Sequence, residues 1–286
     1  MKLNILQEIA QRTKERIETQ KKVLPLDKII EIVNSDAAND SPFTFPFEKA
    51  LKSEDIAFIC EIKKASPSKG IIAEKFPYLD IAKEYEAAGA AAISVLTEPF
   101  YFMGSDQYLR EIADVVSIPL LRKDFTVDSY MIYEAKLLGA SAVLLICSIL
   151  NQDTLADYIT IAHGLGLSAL VETHSEEEVK MALSAGARII GVNNRNLKTF
   201  TVDITLSERL RSLVPPDVLF VSESGLSTQG DIVKLRETGA DAALIGETLM
   251  RAADKKAVLA SMKFAGGGKV ERKTFSTPER SSGFDY

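Results

Sequence analysis

Cysteine is scarce in this chain. There are two, Cys60 and Cys147, each inside an apolar run. Their spacing holds no zinc motif and no disulfide framework, so both read as buried thiols of a reducing compartment. An excess of positive charge is missing too: 34 Lys and Arg stand against 40 Asp and Glu, a formal net charge of −6. That balance argues against a nucleic acid or an anionic membrane as the main partner, because both ask for clustered cations. It leaves room for a local basic pocket that takes an anionic small molecule. No apolar run is long enough to span a bilayer, and Met1-Lys2-Leu3-Asn4-Ile5-Leu6-Gln7-Glu8 turns acidic too early for a signal peptide. The expectation is a cytoplasmic protein. Also absent is a G-x-G-x-x-G segment opening a helix, the early phosphate loop of a doubly wound open sheet.

What the chain does have is rhythm. Its 286 residues, 46% hydrophobic and 26% charged, suffice for one large core. Eight short β-rich runs recur at Ile56–Lys63, Ala91–Thr97, Pro119–Asp124, Ala142–Cys147, Ser168–Thr173, Ile189–Asn194, Leu219–Ser224 and Ala242–Gly246. They are apolar almost throughout, which marks strands buried on both faces of a parallel sheet. Helical patterns lie between them. Five of these close on a glycine suited to a helix C-terminus: Gly89, Gly139, Gly166, Gly186 and Gly239. Pro119 and Pro215-Pro216 punctuate two other junctions. A β-α unit of about 25–30 residues, repeated, predicts an α/β fold of the closed (β/α)8 kind, a TIM barrel. The open doubly wound sheet is the alternative and usually has fewer strands.

Ahead of the barrel, Leu3, Leu6, Ile9, Ala10, Thr13 and Ile17 recur at helical spacing and predict an amphipathic helix over residues 3–22. Asp27–Asn34 adds a turn or two. Asn39–Phe47, with Pro42, Pro46 and three Phe, reads as an ordered linker packed on the barrel. The expected division is a helical extension and linker over 1–48, the barrel over 49–264, and a flexible tail over 265–286 rich in Gly, Ser and scattered charge.

Side chains alternate along a strand. In the first run Phe58, Cys60 and Ile62 make a large apolar face suited to pack on helices, which turns Ala57, Ile59, Glu61 and Lys63 into the barrel. The same parity places Lys123 beyond Leu121, Glu172 beyond Leu170, Asn193 and Arg195 beyond Gly191, and Glu223 beyond Val221. Every one of these polar residues falls at the C-terminal end of its strand. A plug of mutual salt bridges would also satisfy them, but that end of a barrel is where active sites sit. Two lysines and three glutamates packed together shift one another's pKa values, which serves proton transfer near neutral pH.

A phosphate signal is separate. The seventh run ends in Ser222-Glu223-Ser224-Gly225, with Ser227 placed to cap the next helix. The eighth ends in Gly246-Glu247-Thr248, with a helix starting at once. Either fragment alone is an ordinary turn. Together, at the two loops that often hold phosphate in barrels, they predict a site at Ser224, Gly225 and Gly246.

Several segments resemble one family closely. Glu61-Ile62-Lys63-Lys64-Ala65-Ser66-Pro67-Ser68, Leu96-Thr97-Glu98 and Phe102-Met103-Gly104-Ser105 are similar to motifs of the indole-3-glycerol phosphate synthases. So are Leu121-Arg122-Lys123-Asp124-Phe125, Val171-Glu172, Gly191-Val192-Asn193-Asn194-Arg195-Asn196-Leu197 and Ser222-Glu223-Ser224-Gly225. The match runs in order from about Ile5 to Arg251. The resemblance implies a decarboxylating lyase of tryptophan synthesis that acts on 1-(2-carboxyphenylamino)-1-deoxyribulose 5-phosphate, with no metal or organic cofactor. Its partner would be that phosphorylated small molecule, and the protein a monomer or weak homo-oligomer.

The resemblance also implies roles. Lys123, beside Glu61, would protonate the alkoxide formed on ring closure. Arg195, Asn193 and Ser66 would position the anthranilate carboxylate. Glu172 would be the base of the dehydration, and Lys63 either its acid or a phosphate ligand. Glu223 would orient the lysines or the sugar hydroxyls. Leu96 and Phe102 would line the aromatic pocket, and Ser224, Gly225 and Gly246 would meet phosphate. One position departs from the family: a hydroxyl-bearing residue can follow the eighth-strand glycine, but here it is Glu247, expected to turn to solvent and leave backbone N–H contacts alone. A phosphoribosyl isomerase barrel and a catalytically silent binding protein are the competing readings. The complete set Glu61, Lys63, Lys123 and Glu172 argues against both. Bland readings cover the rest: His163 a surface residue, His174 beyond its strand, Asp124 a loop support, Ser68 and Lys69 loop and cap residues, and Glu176-Glu177-Glu178 a solvated helix start.

Overall fold

A computed structural model describes residues 4–36 and 43–264. Leu3, residues 39–42 of the expected linker and the expected tail over 265–286 lie outside the described residues. Eight parallel strands close on themselves: β1 (Ala57–Ile62), β2 (Ala92–Leu96), β3 (Leu120–Lys123), β4 (Ala142–Ile146), β5 (Ser168–Thr173), β6 (Ile189–Asn193), β7 (Leu219–Glu223) and β8 (Ala242–Ile245). Each pairs its chain neighbours, and β1 closes the ring on β8 with Ala57 opposite Ala242 and Cys60 opposite Ile245. This is the predicted barrel, with strand ends trimmed by a residue or two. Pro119, for one, has no N–H to add to a ladder.

Helices α1 (Ile5–Val23), α2 (Leu26–Asp36) and α3 (Pro46–Leu51) precede the barrel. Its outer ring is α4 (Tyr78–Ala87), α5 (Asp106–Ala113), α6 (Tyr130–Leu137), α7 (Gln152–Gly164), α8 (Glu176–Ser184), α9 (Thr205–Arg211) and α10 (Gln229–Glu237). After β8 come α11 (Glu247–Arg251) and α12 (Lys255–Phe264). All five glycines read as helix ends sit at positive φ, between 71° and 86°. At α10 the cap is not Ser227, as expected, but Thr228, whose Oγ1 accepts from Asp231 N at 3.2 Å; Ser227 N instead donates to the Asp231 carboxylate.

Strand parity separates two cores. Outward residues such as Phe58, Cys60, Ile62, Val171 and Phe220 pack with the ring of helices. Inward residues, among them Ala57, Ile59, Leu121, Leu144, Leu170, Val221 and Leu244, fill the barrel. Each fully buried Leu, Ile, Val or Phe side chain among them contributes about 1.5–3 kcal/mol. Both cysteines are free and buried, as read from the sequence.

The lower end of the barrel is closed by α3, which the linker reading did not foresee. Pro46 suits a helix's first turn, where a missing N–H costs nothing. Phe47 and Leu51 then drop fully buried into the inner core. Glu48 accepts from Ser168 Oγ at 3.2 Å and from Arg188 at 2.6 Å. His163, read as a surface residue, is half-buried: its ring packs edge-on to Phe45 and its pKa is pushed down to about 4 by burial, with Arg188 adding to the effect.

At the opposite end α1 lies against the loops after β2 and β3. Arg16 pairs with Asp124 at 2.7 Å and Lys21 with Asp128 at 2.6 Å, while Tyr101 Oη donates to Glu8 at 2.7 Å. No described helix is long and apolar enough to cross a membrane.

Candidate active site

The C-terminal mouth opens into a cavity of about 430 Å3. Every sequence-predicted site residue lines it: Glu61, Lys63, Ser66, Leu96, Phe102, Lys123, Glu172, Asn193, Arg195, Glu223, Ser224, Gly225 and Gly246. Barrel register sets their heights. Glu172 lies level with Gly191, and Asn193 with Glu223. Lys123 Nζ reaches across to Glu172 Oε2 at 3.3 Å and Glu223 Oε2 at 3.4 Å. Lys63 Nζ donates to Glu61 Oε1 at 2.5 Å. This corrects one expectation. Glu61, read as the direct partner of Lys123, pairs with Lys63 and reaches Lys123 only through its field.

The charges settle one another. Burial alone would push Glu61 up, but Lys63 and Lys123, with Arg195 behind them, hold its carboxyl below the usual range. Burial would strip the proton from Lys123. The surrounding Glu223, Glu172 and Glu61 outweigh it and keep the ammonium far above its ordinary value. Three carboxylates then face two ammonium groups. Glu223 carries the surplus, pushed up to about 7 by burial and by Glu172 and Glu61, against the pull of Lys123.

Two glycines make room for these side chains. A Cβ at Gly191 would strike Glu223 Oε1, a buried oxygen with no hydrogen-bond partner among the described residues. A Cβ at Gly246 would strike Glu61 Oε1 and stand 3.1 Å from Lys63 Nζ. Ser224 and Gly225 both turn through positive φ, at 65° and 82°, and end β7 sharply at the cavity wall. Asn194 holds that turn: its Nδ2 donates to Ser224 O at 3.1 Å and Ser222 Oγ at 3.0 Å, and its Oδ1 accepts from Ser207. Glu247 lines the rim, engaged by Arg251 at 3.1 Å and Lys69 at 3.6 Å. Arg195 lies past the end of β6 rather than on it; it bridges to Val202, and its Nη1 donates to Phe200 O at 3.2 Å.

The other wall is apolar. Phe125, Leu144, Ile146 and Leu197 join Leu96 and Phe102, and Ile5, Leu6 and Ile9 of α1 complete it. The sequence reading missed most of this wall. Leu144 and Ile146 carry the right inward parity but look like any core residue. Glu98 was also passed over; fully buried, it accepts from the N–H groups of Phe100, Tyr101 and Phe102 and so fixes the loop that presents Phe102. Glu178, read as solvated, bonds Ser148 and His174. Asp124 is the loop support expected, bonded to Thr97 and Arg16. No group of three or more His, Cys, Asp or Glu side chains among the described residues is placed to hold a metal ion.

The family model of indole-3-glycerol phosphate synthase matches residues 6–262. Among curated proteins, the indole-3-glycerol phosphate synthase of Ruminiclostridium cellulolyticum is 62% identical over 259 residues, covering 91% of this chain and 98% of the relative. That of Lachnoclostridium phytofermentans is 51% identical over 268 residues, with the same two coverages. Among solved structures, a 3-hexulose-6-phosphate synthase superposes with a TM-score of 0.58 at 15% identity, over 73% of this chain and 99% of its own; that likeness speaks for the fold alone. A family match over nearly the whole barrel, on a chain whose strand ends assemble this cluster of charges, leads to one conclusion: the chain belongs to the indole-3-glycerol phosphate synthase family.

Proposed function

We infer that this chain converts 1-(2-carboxyphenylamino)-1-deoxyribulose 5-phosphate into indole-3-glycerol phosphate, CO2 and water. The observation that carries the reading is the Lys123 ammonium held between Glu172 and Glu223 in a cavity that is apolar on one wall and bounded by Ser224-Gly225 and Gly246 on another. The aromatic ring suits the wall of Leu96, Phe102, Phe125 and Leu144. The phosphate suits the backbone N–H groups at Ser224, Gly225 and Gly246, with Lys63 adding charge. Glu247 is already engaged by Arg251 and Lys69, so the contact there is through backbone alone.

Ring closure begins when the aromatic carbon that bears the carboxylate attacks the sugar ketone. Lys123 gives a proton to the developing alkoxide, a transfer of the kind that contributes about 10²–10⁴ in rate. Arg195, Asn193 and Ser66 hold the carboxylate, which leaves as CO2 and restores the aromatic ring. Loss of the hydroxyl as water then draws a second proton from the lysine cluster, and Glu172 takes the proton that the new ring gives up. Lys63, bonded to Glu61 and beside Gly246, serves both as phosphate charge and as second acid. Glu223 orients Lys123.

The test is direct. The chain has no Trp, so the indole emission of the product is not masked by protein tryptophan when enzyme and substrate are mixed. Absence of product at high enzyme concentration overturns the reading.

A further inference from the structure

A second cavity of about 710 Å3 adjoins the first and shares Leu6, Asn193 and Leu197 with it. Its wall includes Ser148, His174, Glu178, Lys198 and Arg209. His174 stands between the two spaces. Its Nε2 is buried, has no hydrogen-bond partner among the described residues, and lies 3.5 Å from Glu172 Oε1. That is the oxygen Glu172 does not use for Lys123. On the far side, Nδ1 lies 3.3 Å from Glu178 Oε2 and 3.5 Å from Ser148 Oγ, and Ser148 donates to Glu178 Oε1 at 2.5 Å. A continuous line of proton-carrying groups thus runs from the second cavity through Glu178, Ser148, His174 and Glu172 to Lys123.

The stoichiometry of the reaction gives that line a task. A carboxylate leaves as CO2 and a hydroxyl leaves as water. Two protons go out of the lysine cluster and one returns on Glu172, so each turnover ends one proton short. We propose that His174 is the positioning residue for Glu172 and relays the missing proton from the second cavity to the lysine cluster. The inference rests on Glu172 being the base. In the relay the imidazolium passes its Nε2 proton to Glu172 Oε1, Glu172 passes a proton to the neutral amine of Lys123, and water in the second cavity reprotonates the ring. The proton that Glu172 takes from the product ring returns through Lys123 and the water of the first cavity to Lys63, so that both lysines and Glu172 end as they began. No bond other than those to hydrogen forms or breaks.

The surroundings favour a charged ring. Burial opposes it, but Glu178 on α8, Glu172 on β5 and Glu223 on β7 together raise the His174 pKa. Lys198, Asp203 and Arg209 border the cavity more distantly.

The experiment compares wild type, His174→Ala and Glu178→Gln. For His174→Ala we expect kcat to fall about 10²-fold, the lower end of the range of a proton-transfer role, with little change in KM. The alkaline limb of the kcat profile moves to lower pH, and added imidazole restores turnover in proportion to its protonated fraction. Glu178→Gln moves the same limb the same way. A folded His174→Ala enzyme with wild-type kcat and pH profile, or a loss that imidazole leaves untouched, overturns the relay. The wild-type control separates the two readings: no product from the wild type overturns the assigned reaction instead. In that case 15N titration of His174 still decides the contact, since a midpoint unmoved by Glu172→Gln overturns the coupling.

Discussion

At the scale of single residues, Lys123 and Glu223 divide the work of one buried charge cluster. On the proposed role of Lys123, Lys123→Ala is expected to lower kcat by about 10³-fold while the variant still binds indole-3-glycerol phosphate, because a proton donor acts in the transition state. Normal turnover by that variant removes Lys123 from the acid role. Glu223 yields a pH-dependent expectation. Its folded pKa, about 7, lies above the ordinary carboxylate value. Between the two values the folded protein keeps a proton that the unfolded chain releases, so the contribution of Glu223 to stability declines as pH rises across that window. Glu223→Gln fixes the neutral form. It should raise the Tm at about pH 8 and leave it nearly unchanged at about pH 4; an equal shift at both, read by calorimetry, sinks the argument. Strand alternation located all of these residues, because parity needs only the chain. It did not disclose that Glu61 pairs with Lys63 and not Lys123, since which strand-end atoms meet across the mouth depends on the barrel's stagger. Gly191 and Gly246 carried a usable signal: a glycine at an inward strand position marks something large approaching.

At the scale of elements, α1 is both roof and clamp. Leu6 and Ile9 line the cavity, and Arg16 anchors the helix to Asp124, which follows Lys123 directly. Burial pushes Asp124 up, but Arg16 and Arg122 hold it below its ordinary value. The stability this provides is present above the ordinary carboxylate range and is lost as pH falls through the folded value. Arg16→Ala leaves a buried carboxylate short of a partner and should cost roughly 3 kcal/mol in denaturant unfolding, with KM for the substrate raised by the loosened roof. An Arg16→Ala enzyme of wild-type stability and KM contradicts both roles. Helical spacing announced α1 with nearly its true limits, yet nothing in the periodicity told which barrel end its apolar stripe covers. The short α3 was hidden altogether, because a six-residue helix starting at Pro46 has no period to read.

At the scale of the molecule, two concentric cores separate stability from chemistry. Phe220 is fully buried on the outward face of β7, away from the cavity. Phe220→Ala is expected to cost about 3–5 kcal/mol of stability while kcat/KM, measured well below the melting temperature, stays near wild type. A large loss of activity in the folded variant contradicts the separation. The repeat of apolar runs and glycine-closed helices made the barrel legible, but closure itself was inferred rather than seen. It depends on β1 meeting β8, a pairing between distant segments for which no local pattern exists. That pairing also governs how the protein is born. During synthesis Glu61, Lys123, Glu172 and Glu223 all leave the ribosome before β8 does, on a sheet whose two rims still present unpaired N–H and C=O groups. A chain interrupted before Ala242 therefore holds nearly all of the charged cluster without the vessel, and its bare rims are the kind of unpaired edge that templates pairing with another chain.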